Sequence, residues 1–107
     1  MKVITAPELA RWLADGERSP PLLLDVREPW EQKICTIAGS EIMPMQQVPG
    51  RLGSIDAQKS VVCVCHHGGR SARVAMFLQG QGYEDVYNLT GGIDAWARQV
   101  DSTMPVY

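Results

Sequence analysis

Residues 63 to 77, CVCHHGGRSARVAMF, gather two cysteines, two histidines, two glycines and two arginines into their first eleven positions. Three chemistries use such a set: a metal site, a phosphate cradle, or a loop built around one reactive sulfur. Metal fits worst. Cys63 falls inside an apolar run of strand character, and no second C-x-x-C or H-x3-H pair completes a tetrahedral shell, so no metal or other cofactor is expected. The remaining two both need backbone N–H groups converging above Cys65.

Gly68 and Gly69 permit the positive-φ geometry of such a turn, and a helix N-terminus with Arg70 and Arg73 adds positive charge. Thiols in such fields titrate at roughly 3.5 to 7.5 instead of about 8.5. A fall of about two units raises the thiolate fraction at pH ~7 about 25-fold, and a Brønsted slope of ~0.4 to 0.5 removes roughly 8-fold in nucleophilicity. Only about threefold activation survives. The loop of His66, His67, Gly68, Gly69, Arg70 and Ser71 is therefore expected to serve chiefly by binding an anion and holding a charged sulfur intermediate.

The elements around this loop read as alternating strands and helices. Thr5 and Glu8 form a T-x-x-E capping box, and Leu9, Trp12 and Leu13 follow at helical spacing, predicting a helix over residues 6–15 that Gly16 stops. Leu22 to Val26, between Pro21 and Pro29, suits a strand buried on both faces, and residues 60–65, SVVCVC, suit another with Cys65 as its last residue. Residues 41–45 are a weaker strand candidate, and QQVPGRLGSI reads as an interrupted helix. Val74, Phe77 and Leu78 predict a helix after the loop, with Ser71 available as N-cap and Gly80 and Gly82 marking its end. EDVYNL gives one more strand, and IDAWARQV, after Thr90, Gly91 and Gly92, a last helix.

This alternation predicts an α/β domain with a mainly parallel central sheet flanked by helices on both faces, with residues 1–107 forming one domain. The ligand crevice of such sheets lies beyond the carboxyl ends of the strands, where Cys65, Asp25 and Arg27 arrive. A net charge of -2 gives no basic footprint for nucleic acid. No apolar stretch approaches a membrane span or a signal-peptide core, so a cytoplasmic location without a membrane partner is expected. Three cysteines, separated by 28 and 2 positions, read as free thiols.

At Cys65 to Ser71 the sequence resembles the C-x-x-G-x-R-[ST] loop of the rhodanese (sulfurtransferase) family. LLLDVREPWE resembles the family's L-x-D-V-R-x-x-x-E segment, IAGSEIMPM its I-P-G-A-x-N-I-P-L segment, and LTGGIDAW its L-x-G-G-x-x-x-W ending. The resemblance implies that Cys65 takes a sulfur from a small anionic donor such as thiosulfate, that the loop amides hold the persulfide, and that cyanide or a thiol removes it. A sulfur-relay or interaction module, charged by a persulfide-donating protein or discharged to a thiol acceptor protein, is the alternative. Phosphatases and arsenate reductases of similar fold carry a C-x5-R loop, whereas Cys65 to Arg70 is C-x4-R, too short for phosphate.

Two departures stand out. His66 replaces the Arg that often follows the nucleophile, so a charge titrating near pH ~6.5 replaces a permanent one, and turnover is expected to level off or fall at alkaline pH. Cys35 to Gly39 lacks the Gly, His and Pro of the family's G-H-I-P-G segment. Of the other polar candidates, Arg70 either binds substrate or fastens the loop to Asp25 or Glu28. Asp25 and Arg27 are expected to support the site structurally, His67 to be a solvated loop residue, and Cys63 to be a small core hydrophobe. Trp30 and Trp96 read as packing residues.

Overall fold

The computed structural model describes residues 1–107, and its centre is a five-stranded sheet in the order β1-β5-β4-β2-β3, every pair parallel. The strands are β1 (Lys2–Ile4), β2 (Leu22–Asp25), β3 (Glu41–Ile42), β4 (Val61–Val64) and β5 (Val86–Leu89). The helices are α1 (Ala6–Ala14), α2 (Pro29–Gln32), α3 (Gly69–Gly80) and α4 (Gly92–Gln99), and two short 3-10 helices occupy Met45–Gln47 and Pro49–Ser54.

Alternation along the central strands sends side chains into two cores. Val61, Cys63 and Leu24 join Val74, Ala75 and Leu78 of α3, with Met43, Val48 and Ile55, on one face. Val62, Val64, Leu23 and Leu89 join Leu9 and Trp12 of α1 and Ile93 and Trp96 of α4 on the other. Because β2 and β4 are covered on both faces, β4 is a continuous apolar run and β2 is one up to Asp25 at its end. The expected layering of helices on both faces of a parallel sheet is the one observed.

The differences from expectation are local. β4 ends at Val64, so Cys65 is the first residue beyond the strand. Ser71 is not a cap: α3 begins at Gly69 with Gly68 as N-cap, and Ser71 lies inside the first turn, buried. The interrupted helix is a pair of 3-10 segments, and Arg51 within the second departs from helical geometry. β1 and α2 had no sequence signal. Two of the three residues of β1 are exposed at the sheet edge, and α2 has only four residues, too few to show a 3.6-residue period.

Candidate active site

Cys65 leaves β4 at the carboxyl edge of the sheet, and the chain turns through His66, His67 and Gly68 into α3. The turn requires φ of +111° at Gly68, a conformation that costs glycine little; Gly69, the other expected positive-φ position, is ordinary. Two outside contacts hold the turn. The carbonyls of Cys65 and His66 accept hydrogen bonds from the Ile93 and Asp94 N–H groups at 2.8 and 3.1 Å, in the first turn of α4. This docking needs the second glycine of the LTGG stretch: a Cβ on Gly92, itself at φ +63°, would stand 2.3 Å from the His66 oxygen and 2.5 Å from that of Cys65.

With its carbonyls turned toward α4, the loop offers donors to the sulfur. Gly68 N–H donates to Cys65 Sγ at 3.1 Å, and the Ser71 hydroxyl lies 3.2 Å from the same atom. Cys65 is only 1% exposed, so its sulfur forms the floor of the site and meets small reactants more readily than bulky ones. Cys63 lies deeper on the same face, fully buried, and burial pushes its thiol up to about 12, with the neighbouring Cys65 adding to the effect. It stays a packing group, as expected.

Arg70 fastens the loop. Its guanidinium forms a two-pronged ion pair with Glu31 of α2, Nη1 to Oε1 at 2.5 Å and Nη2 to Oε2 at 2.7 Å. Neither carboxylate foreseen from the sequence is the partner; Glu31 ends the LLLDVREPWE segment, where the four-residue helix turns it toward the loop. The Arg70 hydrogen bond, helped by the Tyr107 hydroxyl at 2.7 Å, holds Glu31 down at about 2 against the opposing effect of burial. Arg70 is raised above its ordinary range by the same pair.

Beneath this pair sits Arg27, with no exposed surface. Its Nε and Nη2 donate to Asp25 at 2.9 and 2.7 Å, Nη2 also to the Cys35 carbonyl at 2.7 Å, and Nη1 to the Glu31 carbonyl at 3.3 Å and the Tyr107 hydroxyl at 3.1 Å. Burial opposes the Arg27 charge, but the Asp25 and Tyr107 hydrogen bonds outweigh it and raise the pKa. Asp25 and Arg27 therefore knit β2, α2 and the Cys35 segment together and present no charge to a ligand. On the exposed side of α3, Arg73 makes no ion pair and adds a free positive charge near the start of the helix.

His66 does not stand in for a substrate-binding cation. Its ring is stacked between Tyr107, at 3.7 Å and 6° between planes, and exposed His67, at 3.8 Å and 29°. Burial and the neighbouring His67 lower its pKa below the usual histidine value, so it is neutral at pH 7 and its charge is already gone before alkaline pH. The His66 titration therefore lies below the alkaline range in which its loss of charge was expected to level turnover. His66, His67 and Asp94 do bring one potential ligand atom each within 4.8 Å of one another. Stacked rings direct their in-plane lone pairs along nearly parallel planes, however, and cannot share one ion at about 2 Å without unstacking.

Besides Glu31, the sequence does not signal three further participants. Asn88, at the end of β5, is buried against the loop with Nδ2 on the Gly68 carbonyl at 3.1 Å and Oδ1 2.5 Å from Ser71 Oγ. Tyr107 covers the loop from far along the chain, and Gly92 is its seat. The VYNLTGG stretch contained two of them, but only the strand and turn were legible there.

The chain matches the rhodanese-like domain family over residues 5–99. It is 40% identical over 95 residues to a protein named sulfurtransferase from Allochromatium vinosum, covering 89% of this chain and 87% of that one. It is 33% identical over 91 residues to the thiosulfate sulfurtransferase GlpE of Pseudomonas aeruginosa, covering 85% of this chain and 80% of that one. Among solved structures, a rhodanese-like domain protein from Staphylococcus aureus superposes with a TM-score of 0.84 at 33% identity, covering 100% of this chain and 99% of the other. The chain spans only about a quarter to a third of several longer relatives that it also matches. No helix is long and apolar enough to cross a membrane.

Proposed function

This chain belongs to the rhodanese-like domain family, and from that premise we propose that it is a sulfurtransferase in which Cys65 carries the sulfur as a persulfide. The observation that carries the reading is the seat of Cys65 Sγ: at the foot of the α3 N-terminus, 3.1 Å from the Gly68 N–H, in a loop anchored by α4 on one side and Glu31 on the other. Preorganised donors there favour sulfur-borne negative charge over neutral sulfur.

With thiosulfate as donor, the Cys65 thiolate attacks the outer sulfur, the donor S–S bond breaks, and its electron pair leaves with sulfite. Cys65 then bears one added sulfur. The S–S bond of about 2.05 Å lifts the outer atom off the floor of the site and toward the acceptor. Cyanide or a thiol attacks that atom, the persulfide S–S bond breaks, and the thiolate returns to Cys65. Gly68 N–H and the Ser71 hydroxyl steady charge on the inner sulfur; the N–H groups at the α3 start and Arg73 attract the anionic donor. Arg70 keeps the loop closed through Glu31.

A second reading is that the domain relays sulfur from a persulfide-donating protein to a thiol acceptor; the chain also matches about a quarter of a longer relative named adenylyltransferase and sulfurtransferase, in which sulfur transfer is joined to another activity. Thiocyanate formation from thiosulfate and cyanide, compared between the unsubstituted protein and Cys65→Ala, separates the two. Turnover abolished by the substitution supports the independent enzyme. Negligible turnover with a Cys65 persulfide loaded by a protein donor supports the relay, and no sulfur on Cys65 from either source refutes both.

A further inference from the structure

Ser71 has one hydroxyl proton and two neighbours that accept it: Asn88 Oδ1 at 2.5 Å and Cys65 Sγ at 3.2 Å. The amide of Asn88 cannot turn over to relieve the competition, because its Nδ2 donates to the Gly68 carbonyl at 3.1 Å, and reversal would set two carbonyl oxygens against each other. Oδ1 therefore faces Ser71, and the shorter contact takes the proton. In that arrangement Ser71 Oγ receives the S–H of a neutral Cys65.

We infer that Asn88 is a positioning residue that directs the Ser71 proton away from the sulfur in the resting thiol and surrenders it when Cys65 becomes anionic. On ionisation the S–H proton passes to water, the Ser71 hydroxyl swings onto Sγ, and Asn88 Oδ1 is left buried without a donor. Only the S–H bond is broken. The orphaned oxygen opposes ionisation, so Asn88 restrains the sulfur until a reaction makes charge there, while its other end holds the Gly68 carbonyl and thereby aims the Gly68 N–H. The inference rests on Cys65 being the reactive sulfur of the site.

The test is the rate at which iodoacetamide alkylates Cys65, followed by mass on the peptide containing it, from pH ~6 to ~9 in four proteins: unsubstituted, Asn88→Leu, Ser71→Ala, and the double variant. Leucine matches asparagine in shape and removes both the competing oxygen and the Nδ2 bond to the Gly68 carbonyl, and the second loss is common to both Ser71 backgrounds. The expected result is alkylation about fivefold faster in Asn88→Leu on the acid side of the profile, the factor equivalent to ~1 kcal/mol, with no increase when Ser71→Ala is already present. Cys63 and Arg70, which couple to the sulfur, and Glu31, His66, His67, Asp94 and Tyr107, which pack about the loop, are common to all four and cancel in the comparison. An equal increase in both backgrounds, or none in either, overturns the inference.

The unsubstituted fold supplies an independent readout. The infrared S–H stretch assigned by difference to Cys65 is expected at the wavenumber of a donating thiol and to move toward that of a free thiol in Ser71→Ala. A stretch that Ser71→Ala leaves in place overturns the inference. Alkylation and S–H stretching need no sulfur donor, so a lack of thiosulfate turnover counts against the proposed function alone.

Discussion

Glu31→Gln tests whether the loop is held by the Arg70 pair. The Glu31 carboxyl titrates at about 2 in the folded protein against an ordinary 4.5. At about 1.4 kcal/mol per unit, that difference places about 3 kcal/mol of folding stability in the ionised carboxylate and its partners. Its folded pKa is the lower one, so the contribution is complete above pH ~4.5 and is lost as pH falls toward ~2. Glutamine keeps a carbonyl for Arg70 but loses the charge and one acceptor. The variant is therefore expected to be less stable by about 2 kcal/mol at pH 7, with the gap closing toward zero near pH ~2. Urea unfolding midpoints at a series of pH values read this directly, because m should not change. A gap below about 0.5 kcal/mol at pH 7, or one that stays constant down to pH ~2, would refute the account of how the loop is closed.

Three further substitutions probe the loop and its docking onto α4. Gly92→Ala should destabilise the protein by more than about 3 kcal/mol, lowering the thermal midpoint by over roughly 10 °C, because its Cβ meets two loop carbonyls at 2.3 and 2.5 Å. Gly69→Ala, where a Cβ meets nothing within 4 Å, should leave the midpoint within a few degrees, and equal losses at both positions would contradict the docking described. His66→Gln should divide the thiosulfate kcat/KM by one constant factor across pH ~7 to ~9, since burial has already removed the imidazole charge at neutral pH. A factor that changes more than about twofold over that range would show His66 titrating in it.

Which features are legible in the sequence follows from how each is encoded. β4 and the leucines of β2 were legible because strands covered on both faces are largely apolar, whereas β5 carries Asn88 and was legible from the Val86–Leu89 stretch and the Thr-Gly-Gly turn after it. Helix α1 was legible because its cap and its buried face are both local patterns, and the bond from Glu8 N–H to Thr5 Oγ1 at 3.2 Å confirms the box. Cys65 and its loop were legible because close spacing keeps the chemistry in one stretch. The supports were not. Glu31, Asn88 and Tyr107 lie 39, 17 and 76 positions from partners they bond, and Gly92 lies 26 positions from the His66 carbonyl it packs against; a lone sequence does not pair residues across such distances. His66 shows a subtler limit: its residue type suggested a titrating ligand, but the stack with Tyr107 turns it into a packed, neutral ring.

Intact mass after treatment with thiosulfate alone, without any acceptor, tests most directly whether Cys65 carries sulfur. The account predicts a gain of about 32 Da on the unsubstituted protein, located on the peptide containing Cys65, removed by cyanide and absent from Cys65→Ala. A gain that persists in Cys65→Ala, or that maps to Cys35 or Cys63, would contradict it.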